Sequence, residues 1–303
     1  MNRRQEREEI RARGEGYYHF CTDGLKNGQI FHHAEQYAFG MILIGLICLR
    51  FNLTVYAFEL MPTHLHIILK GTGVQCLEAF DYLKRKLSAR LRQNGQAPLP
   101  EDYWFKLVGI GDEEQLKREI IYVLRNSLEE ESYTVGGNLW GSGWIYYSNL
   151  AEAMGGTRAG EMSKRSKIKY FTTEQAIPNH WKAHPYVGLL PDSFVDTSLV
   201  KRLFPSPKDL QTALVKDYEV YFQIARRLGE LCEFNKVEIA GIVNQTLQKR
   251  FGGKNLNSLS EEEKGRMAII LNREFGLSSL QISKAIFVKE IIVRQLLSSK
   301  ELR

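Results

Sequence analysis

The side chains in this sequence best equipped for chemistry are two histidines one residue apart and a tyrosine followed four residues later by an asparagine. His64 and His66 stand in the run Leu60-Met61-Pro62-Thr63-His64-Leu65-His66-Ile67-Ile68-Leu69-Lys70-Gly71, which is apolar, is entered through Met-Pro and closes on a glycine. That composition predicts a buried strand. Side chains alternate faces along a strand, so the two imidazoles point the same way and Leu65 the other. A rigid pair of imidazoles suits a divalent cation, and one further donor would still leave positions open for a substrate oxygen. Tyr122 and Asn126 lie one above the other on a predicted helix. With the histidines available, the phenol is a candidate nucleophile and the amide a candidate third ligand. The plain alternative is that a His-X-His triplet arises by chance and that a tyrosine on a helix is packing. Against it stands the cost of burying two unsatisfied imidazoles in an otherwise apolar strand.

Several elements must hold these residues in place. Tyr17-Tyr18-His19-Phe20-Cys21-Thr22 has strand composition, ends at Asp23-Gly24 and is expected beside the histidine strand. Gln36 to Leu49 reads as a helix packed on the sheet; its apolar run Ala38 to Leu49 is too short to span a bilayer and is expected to be buried. Leu53 to Glu59 reads as a strand, which the short Met61-Pro62-Thr63 turn pairs antiparallel with the histidine strand. From Val74 to Gln93 a helix buries Leu77, Phe80, Leu83, Leu87 and Leu91 and ends at Asn94-Gly95. Its other face carries Lys84, Arg85, Lys86, Arg90 and Arg92, a density of cations fit for a phosphate backbone. Tyr103 to Ile110 reads as a further strand, and Glu113 to about Ser127 as the helix that carries Tyr122 and buries Leu116, Ile120, Val123 and Leu124.

The second half has a different texture. Gly155-Gly156 and the basic run Lys164 to Lys169 mark a boundary, giving an expected catalytic domain at 1–155, a basic, Pro-containing linker at 156–206 and a helical domain at 207–303. His180 and His184 are four apart, but Pro178 and Pro185 disfavour a helix, so loop histidines are expected. Ser260 and Glu263 form a capping box that opens a helix burying Met267, Ile270, Leu271 and Phe275 and stopping at Gly276. A short helix from Leu280 to Ile286 and another from about Lys289 to Leu297 suggest a helix-turn-helix, with Lys289 and Arg294 as DNA-facing cations and Phe287 where a turn glycine often sits. The plain alternative is an ordinary helical bundle.

At 303 residues, 44% hydrophobic and 25% charged, the chain has room for two ordinary cores. A net charge of +6 favours an anionic partner, nucleic acid before membrane. Cys21, Cys48, Cys76 and Cys232 form no C-x-x-C pair, which points to a reducing, cytoplasmic setting without a zinc knuckle or disulfide framework. Met1 to Gly16 is charged throughout and reads as an arm or basic contact, not a signal peptide.

A Met-Pro-x-His-hydrophobic-His strand followed by a Tyr-x-x-x-Asn helix resembles the HUH-motif transposases that use a single tyrosine, especially the REP-associated tyrosine transposase branch. The similarity covers roughly Gly16 to Leu150, including the strand-helix-strand-strand-helix order and the Trp-Gly-Ser-Gly-Trp-Ile-Tyr-Tyr-Ser stretch at Trp140 to Ser148. After Asn126 the chain has Ser127-Leu128-Glu129-Glu130 where that family commonly has Pro-Val-Arg-Ala. The C-terminal part resembles the DnaA-type helical tail of some members. The resemblance implies an α+β fold, with helices packed on an antiparallel sheet as in the ferredoxin-like, RRM-like HUH nuclease core, followed by an all-α C-terminal domain. It implies Mg2+ or Mn2+ held by His64, His66 and Asn126. It also implies attack by Tyr122 on single-stranded, hairpin-forming DNA to leave a 5′-phosphotyrosine, in a cytoplasmic protein with no membrane partner and a homodimer allowed. No residue stands out as the base for Tyr122; Glu119, Arg118 and Arg125 are supporting candidates on the same helix. One rival reading is a non-catalytic, domesticated binder of DNA hairpins or operators. Another is an unrelated histidine metallohydrolase, for which Glu59 is the near carboxylate.

Overall fold

The structure, a computed structural model, describes residues 2–24, 28–126, 138–216, 218–230 and 234–298. Four strands, β1 (Gly16–Thr22), β2 (Thr54–Leu60), β3 (Leu65–Gly71) and β4 (Phe105–Ile110), form an antiparallel sheet in the order β2-β3-β1-β4. In its register Cys21 lies opposite His66 on one side and Glu59 lies opposite His66 on the other. Alternation along the strands therefore divides the sheet. Phe20, Phe58, Ile67 and Leu107 share one face, while His19, Cys21, Glu59 and His66 share the other.

The apolar face is covered by helices. These are α1 (Arg3–Arg11), α2 (Ala34–Phe51) and α3 (Gly73–Gln93), with α3 packed on both of the others. Phe80 of α3 stacks on Phe105 at 4.4 Å, and Phe105 on Phe20 at 4.7 Å, which locks the helix layer to the sheet. Thr72 and Gln75 form the capping box that starts α3. Directly after the cap, Gly73 lies so close to α1 that a Cβ would come 1.8 Å from the Ile10 carbonyl oxygen. The polar face is covered by α4 (Glu113–Arg125), which starts where the Asp112 carboxylate accepts from the Gln115 amide and packs on β2 and β3.

α2 extends beyond its apolar run at both ends. The Gln36 side chain accepts from the His32 and His33 amides at the start, and Asn52 takes a left-handed conformation, φ 52, at the end. The helix is long and apolar enough to cross a membrane by length and composition, and it is largely buried here. Its outer side is packed by the stretch expected as a linker. After α5 (Leu150–Met154), that stretch holds the small sheet β5 (Thr157–Arg158), β6 (Lys182–His184) and β7 (Gly188–Leu189), and the helices α6 (Lys164–Phe171) and α7 (Ser198–Leu203). Trp181, Leu189 and Leu190 supply apolar surface with α2 to bury against, so the stretch folds onto the first unit. His184 ends β6, where its Nδ1 accepts from the Tyr186 and Val187 amides. Gly188, at φ +83, comes within reach of the Ala38 carbonyl of α2.

The chain divides into two compact units, Met1–Leu214 and Val215–Arg303, joined through α8 (Pro207–Lys216). The second unit is all-α among its described residues: α9 (Tyr218–Leu228), α10 (Lys236–Arg250), α11 (Glu261–Phe275), α12 (Ser279–Ile286) and α13 (Glu290–Ser298). Its core includes Met267, Leu271, Ile282, Ile286 and Val293. Ser260 and Glu263 cap α11 reciprocally and Gly276 ends it in the left-handed region. Phe287 takes the left-handed conformation between α12 and α13, φ 57, and stands 75% exposed. The residue that often would be glycine is here a strained, solvent-facing aromatic.

Candidate functional site

The site lies where α4 crosses the polar face of the first unit's sheet. β3 begins at Leu65, so His64 sits in the turn before it, where its carbonyl accepts from the Met61 amide to close the hairpin. The rings of His64 and His66 meet edge to face, centroids 4.7 Å apart. Gly24 permits this turn to pack, since a Cβ there would come 2.8 Å from His64 Nδ1. Tyr122 of α4 lies on the same cluster, its ring 5.5 Å from His66 and 5.8 Å from His19. Tyr122 is 1% exposed and His66 fully buried.

Behind His66 is a buried polar row. His66 Nδ1 is 3.0 Å from His19 Nε2, and His19 Nδ1 is 2.8 Å from Glu119 Oε2. Cys21 Sγ lies within 4.8 Å of a His66 ring nitrogen. Burial, and then the neighbouring His64 and His19 rings, push the His66 pKa well below the ordinary imidazole value. His66 is therefore neutral, the form that ligates a cation. On its other side Glu59 Oε2 accepts from Asn138 Nδ2 at 2.7 Å, and a Cβ on Gly141 would come 2.2 Å from the same oxygen. Burial pushes the Glu59 carboxyl well above its usual range, and the Asn138 hydrogen bond only offsets this. A carboxyl that burial keeps protonated and that Asn138 already engages is a poor metal ligand, which weighs against the metallohydrolase reading.

The structure thus brings together His64, His66 and Tyr122. Asn126 ends α4, where Nδ2 donates to the Tyr122 carbonyl at 2.9 Å; the amide nitrogen caps the helix, leaving the oxygen end as the ligand atom in question. Of the supporting candidates, Glu119 reaches the cluster through His19, Arg118 is exposed, and Arg125 donates to the Leu214 carbonyl. The neighbouring tyrosines are otherwise engaged: Tyr146 donates to the Tyr56 carbonyl at 2.6 Å, and the Tyr147 hydroxyl is bonded to the Phe204 carbonyl. Ser127 to Glu130 and Tyr133 lie outside the described residues. His19 and Cys21 are the cluster residues that sequence reasoning did not single out. Both lie on alternate positions of a strand expected beside the histidine strand, and that alternation was the available signal.

The cations expected to grip DNA fare differently. α3 lies on the opposite layer from the histidines, and Lys84 Nζ donates to the carbonyls of Glu101 and Tyr103, which ties α3 to the segment before β4. Lys86 donates to the Thr172 carbonyl, and Arg85 stacks over Tyr82. Arg90 stacks over Phe39 at the edge of a cavity of about 510 Å³ that Lys169 also lines. Arg92 is exposed. In the second unit Arg294 is paired with Glu290 at 2.7 Å, while Lys289 is exposed.

No protein-family model and no curated protein sequence matches this chain. Among solved structures, a REP-associated tyrosine transposase bound to a REP hairpin aligns with 43% of this chain and 76% of its own, at 14% identity and a TM-score of 0.33. The likeness is partial and of low identity.

Proposed function

We propose that the first unit is a metal-assisted single-strand DNA nuclease and strand transferase that acts through a covalent tyrosine intermediate in the cytoplasm, with the second unit adding DNA affinity. The supporting observation is the contact of the buried Tyr122 of α4 with the ring of His66 of β3, itself against His64 in the turn before that strand. The donor set, two imidazoles with the Asn126 amide oxygen one helical turn below Tyr122, is compatible with Mg2+ or Mn2+. When bound, such a cation neutralises charge on the scissile phosphate. Tyr122 Oη attacks phosphorus, forming an O–P bond as the bond to the upstream 3′ oxygen breaks. The phosphate stays on the downstream strand as a 5′-phosphotyrosine, and the phenol proton ends, in the net, on the released 3′ hydroxyl. Attack by a second 3′ hydroxyl reverses these steps and joins strands without an external energy source.

A second reading, a DNA hairpin or operator binder that does not cut, is favoured by the burial of Tyr122 and His66, since a phosphate must reach both. One experiment separates the two. The full chain is incubated with a hairpin-forming single-stranded oligonucleotide and Mn2+, then run on a denaturing gel. The proposal expects a covalent adduct that Tyr122→Phe abolishes while DNA binding is kept. Adduct formation by the phenylalanine variant would remove Tyr122 from the role; binding without adduct by the unaltered chain would establish the second reading.

A further inference from the structure

We infer that Glu119 and His19 are positioning residues that fix which nitrogen of His66 faces the metal position, an inference that rests on the reading of His66 as a ligand. The three side chains come from α4, β1 and β3, and 100 residues separate Glu119 from His19 in sequence. All three are essentially buried, so each polar contact among them is made away from competing water.

The direction of the row follows from counting protons. Each contact, 2.8 Å from Glu119 Oε2 to His19 Nδ1 and 3.0 Å from His19 Nε2 to His66 Nδ1, needs one hydrogen. An ionised carboxylate only accepts, so His19 must carry its proton on Nδ1. With His19 as the neutral imidazole, its Nε2 accepts and His66 donates from its own Nδ1. That engagement leaves Nε2 as the His66 nitrogen that carries the lone pair. An accepting carboxylate at position 119 is thereby expressed two side chains away as the orientation of a ligand atom. A group at position 119 that donates instead reverses every bond and puts a hydrogen on His66 Nε2, where it blocks coordination. The same row joins the helix that carries Tyr122 to the strand that carries His66, so it also sets the nucleophile's height above the ligand. Outer hydrogen-bond partners of metal-bound histidines commonly matter by about 10–100-fold in metal affinity.

The test compares Glu119→Gln with Glu119→Asp in the full chain. Glutamine keeps the shape and removes the charge; aspartate keeps the charge and shortens the reach. Mn2+ affinity is read by calorimetry, the protonated nitrogen of His66 by ring ¹⁵N shifts without metal, and stability by thermal melting. The inference expects Glu119→Gln to weaken Mn2+ binding by about 10–100-fold and to move the His66 proton towards Nε2. It expects Glu119→Asp to bind more tightly than Glu119→Gln even where it melts lower. A merely structural role predicts that affinity follows melting temperature, with glutamine the better variant; that result overturns the inference. So does unaltered Mn2+ binding by Glu119→Gln while His66→Ala binds none, an outcome that leaves the metal reading standing. Unaltered binding by His66→Ala, or none by the unaltered chain, sinks the metal reading and this inference together. If Glu119→Gln does not fold, the ring shifts of the unaltered chain decide: a proton on His66 Nε2 refutes the row.

Discussion

Glu59→Gln is expected to stabilise the first unit, and by an amount that grows with pH. Glu59 is fully buried beside His66, with one oxygen held by Asn138 and no partner for the other among the described residues. Its folded pKa is raised, so the native state keeps a proton that the unfolded chain releases near pH 4.3. The stabilising proton is fully present below that pH, and its contribution is lost as pH rises through the folded pKa. Over this window unfolding becomes easier by up to about 1.4 kcal/mol per pH unit, the value of one proton. Glutamine matches the protonated acid in shape and does not titrate. The two proteins should therefore agree within about 1 kcal/mol at pH 4, with the variant pulling ahead by up to about 1.4 kcal/mol for each further pH unit until the folded pKa is passed. For a unit of this size each kcal/mol is roughly 2–4 °C in melting temperature. All four tryptophans, Trp104, Trp140, Trp144 and Trp181, lie in Met1–Leu214, so tryptophan fluorescence in a pH series of melts follows this unit alone. A stability difference that stays flat from pH 4 to 8 would refute a buried, protonated Glu59.

Gly188→Ala should cost about 3 kcal/mol or more in the same melts, because it combines a left-handed backbone with a Cβ 2.1 Å from the Ala38 carbonyl. Gly155→Ala, in open space but at φ 73 and ψ −133, where only glycine sits easily, should cost about 1–3 kcal/mol from backbone strain alone. Lys84→Ala should lower stability and leave DNA affinity nearly unchanged, since its amine serves two carbonyls; Lys289→Ala should instead reduce the salt slope of DNA binding by about 1 in a titration series. A chain ending at Leu214 should bind hairpin DNA more weakly, with a shallower salt slope, and still form the Tyr122 adduct on a denaturing gel.

The site was partly legible in sequence because its principal residues obey short periods. Alternation put His66 on the face that α4 crosses, while His64, expected on the same strand, reaches it from the turn before β3; a four-residue spacing set Asn126 one turn from Tyr122. The capping box at Ser260 likewise announces where α11 begins. What period cannot carry is partnership across the fold. Nothing local to His19 marks it as the link between Glu119 and His66, because that link exists only once the sheet has paired β1 with β3 and α4 has crossed it. The stretch 156–206 was opaque for a different reason. Its strands are two or three residues long, too short for alternation to register, and its apolar residues make sense only against the outer side of α2.

The position of α2 between its two covers has a consequence for how the protein is made. The inner cover is close in sequence, but Trp181 and Leu189 leave the ribosome only after some 130 further residues have been added to Phe51. At ordinary synthesis rates of about 5–20 residues per second, that interval is roughly 7–26 s. During it an apolar helix long enough to cross a membrane stands half sheathed on a nascent chain. Its unsheathed side is a surface for chaperone capture, and a substitution that weakens the late cover, such as one at Leu189, lengthens the exposure before it alters any residue of the site.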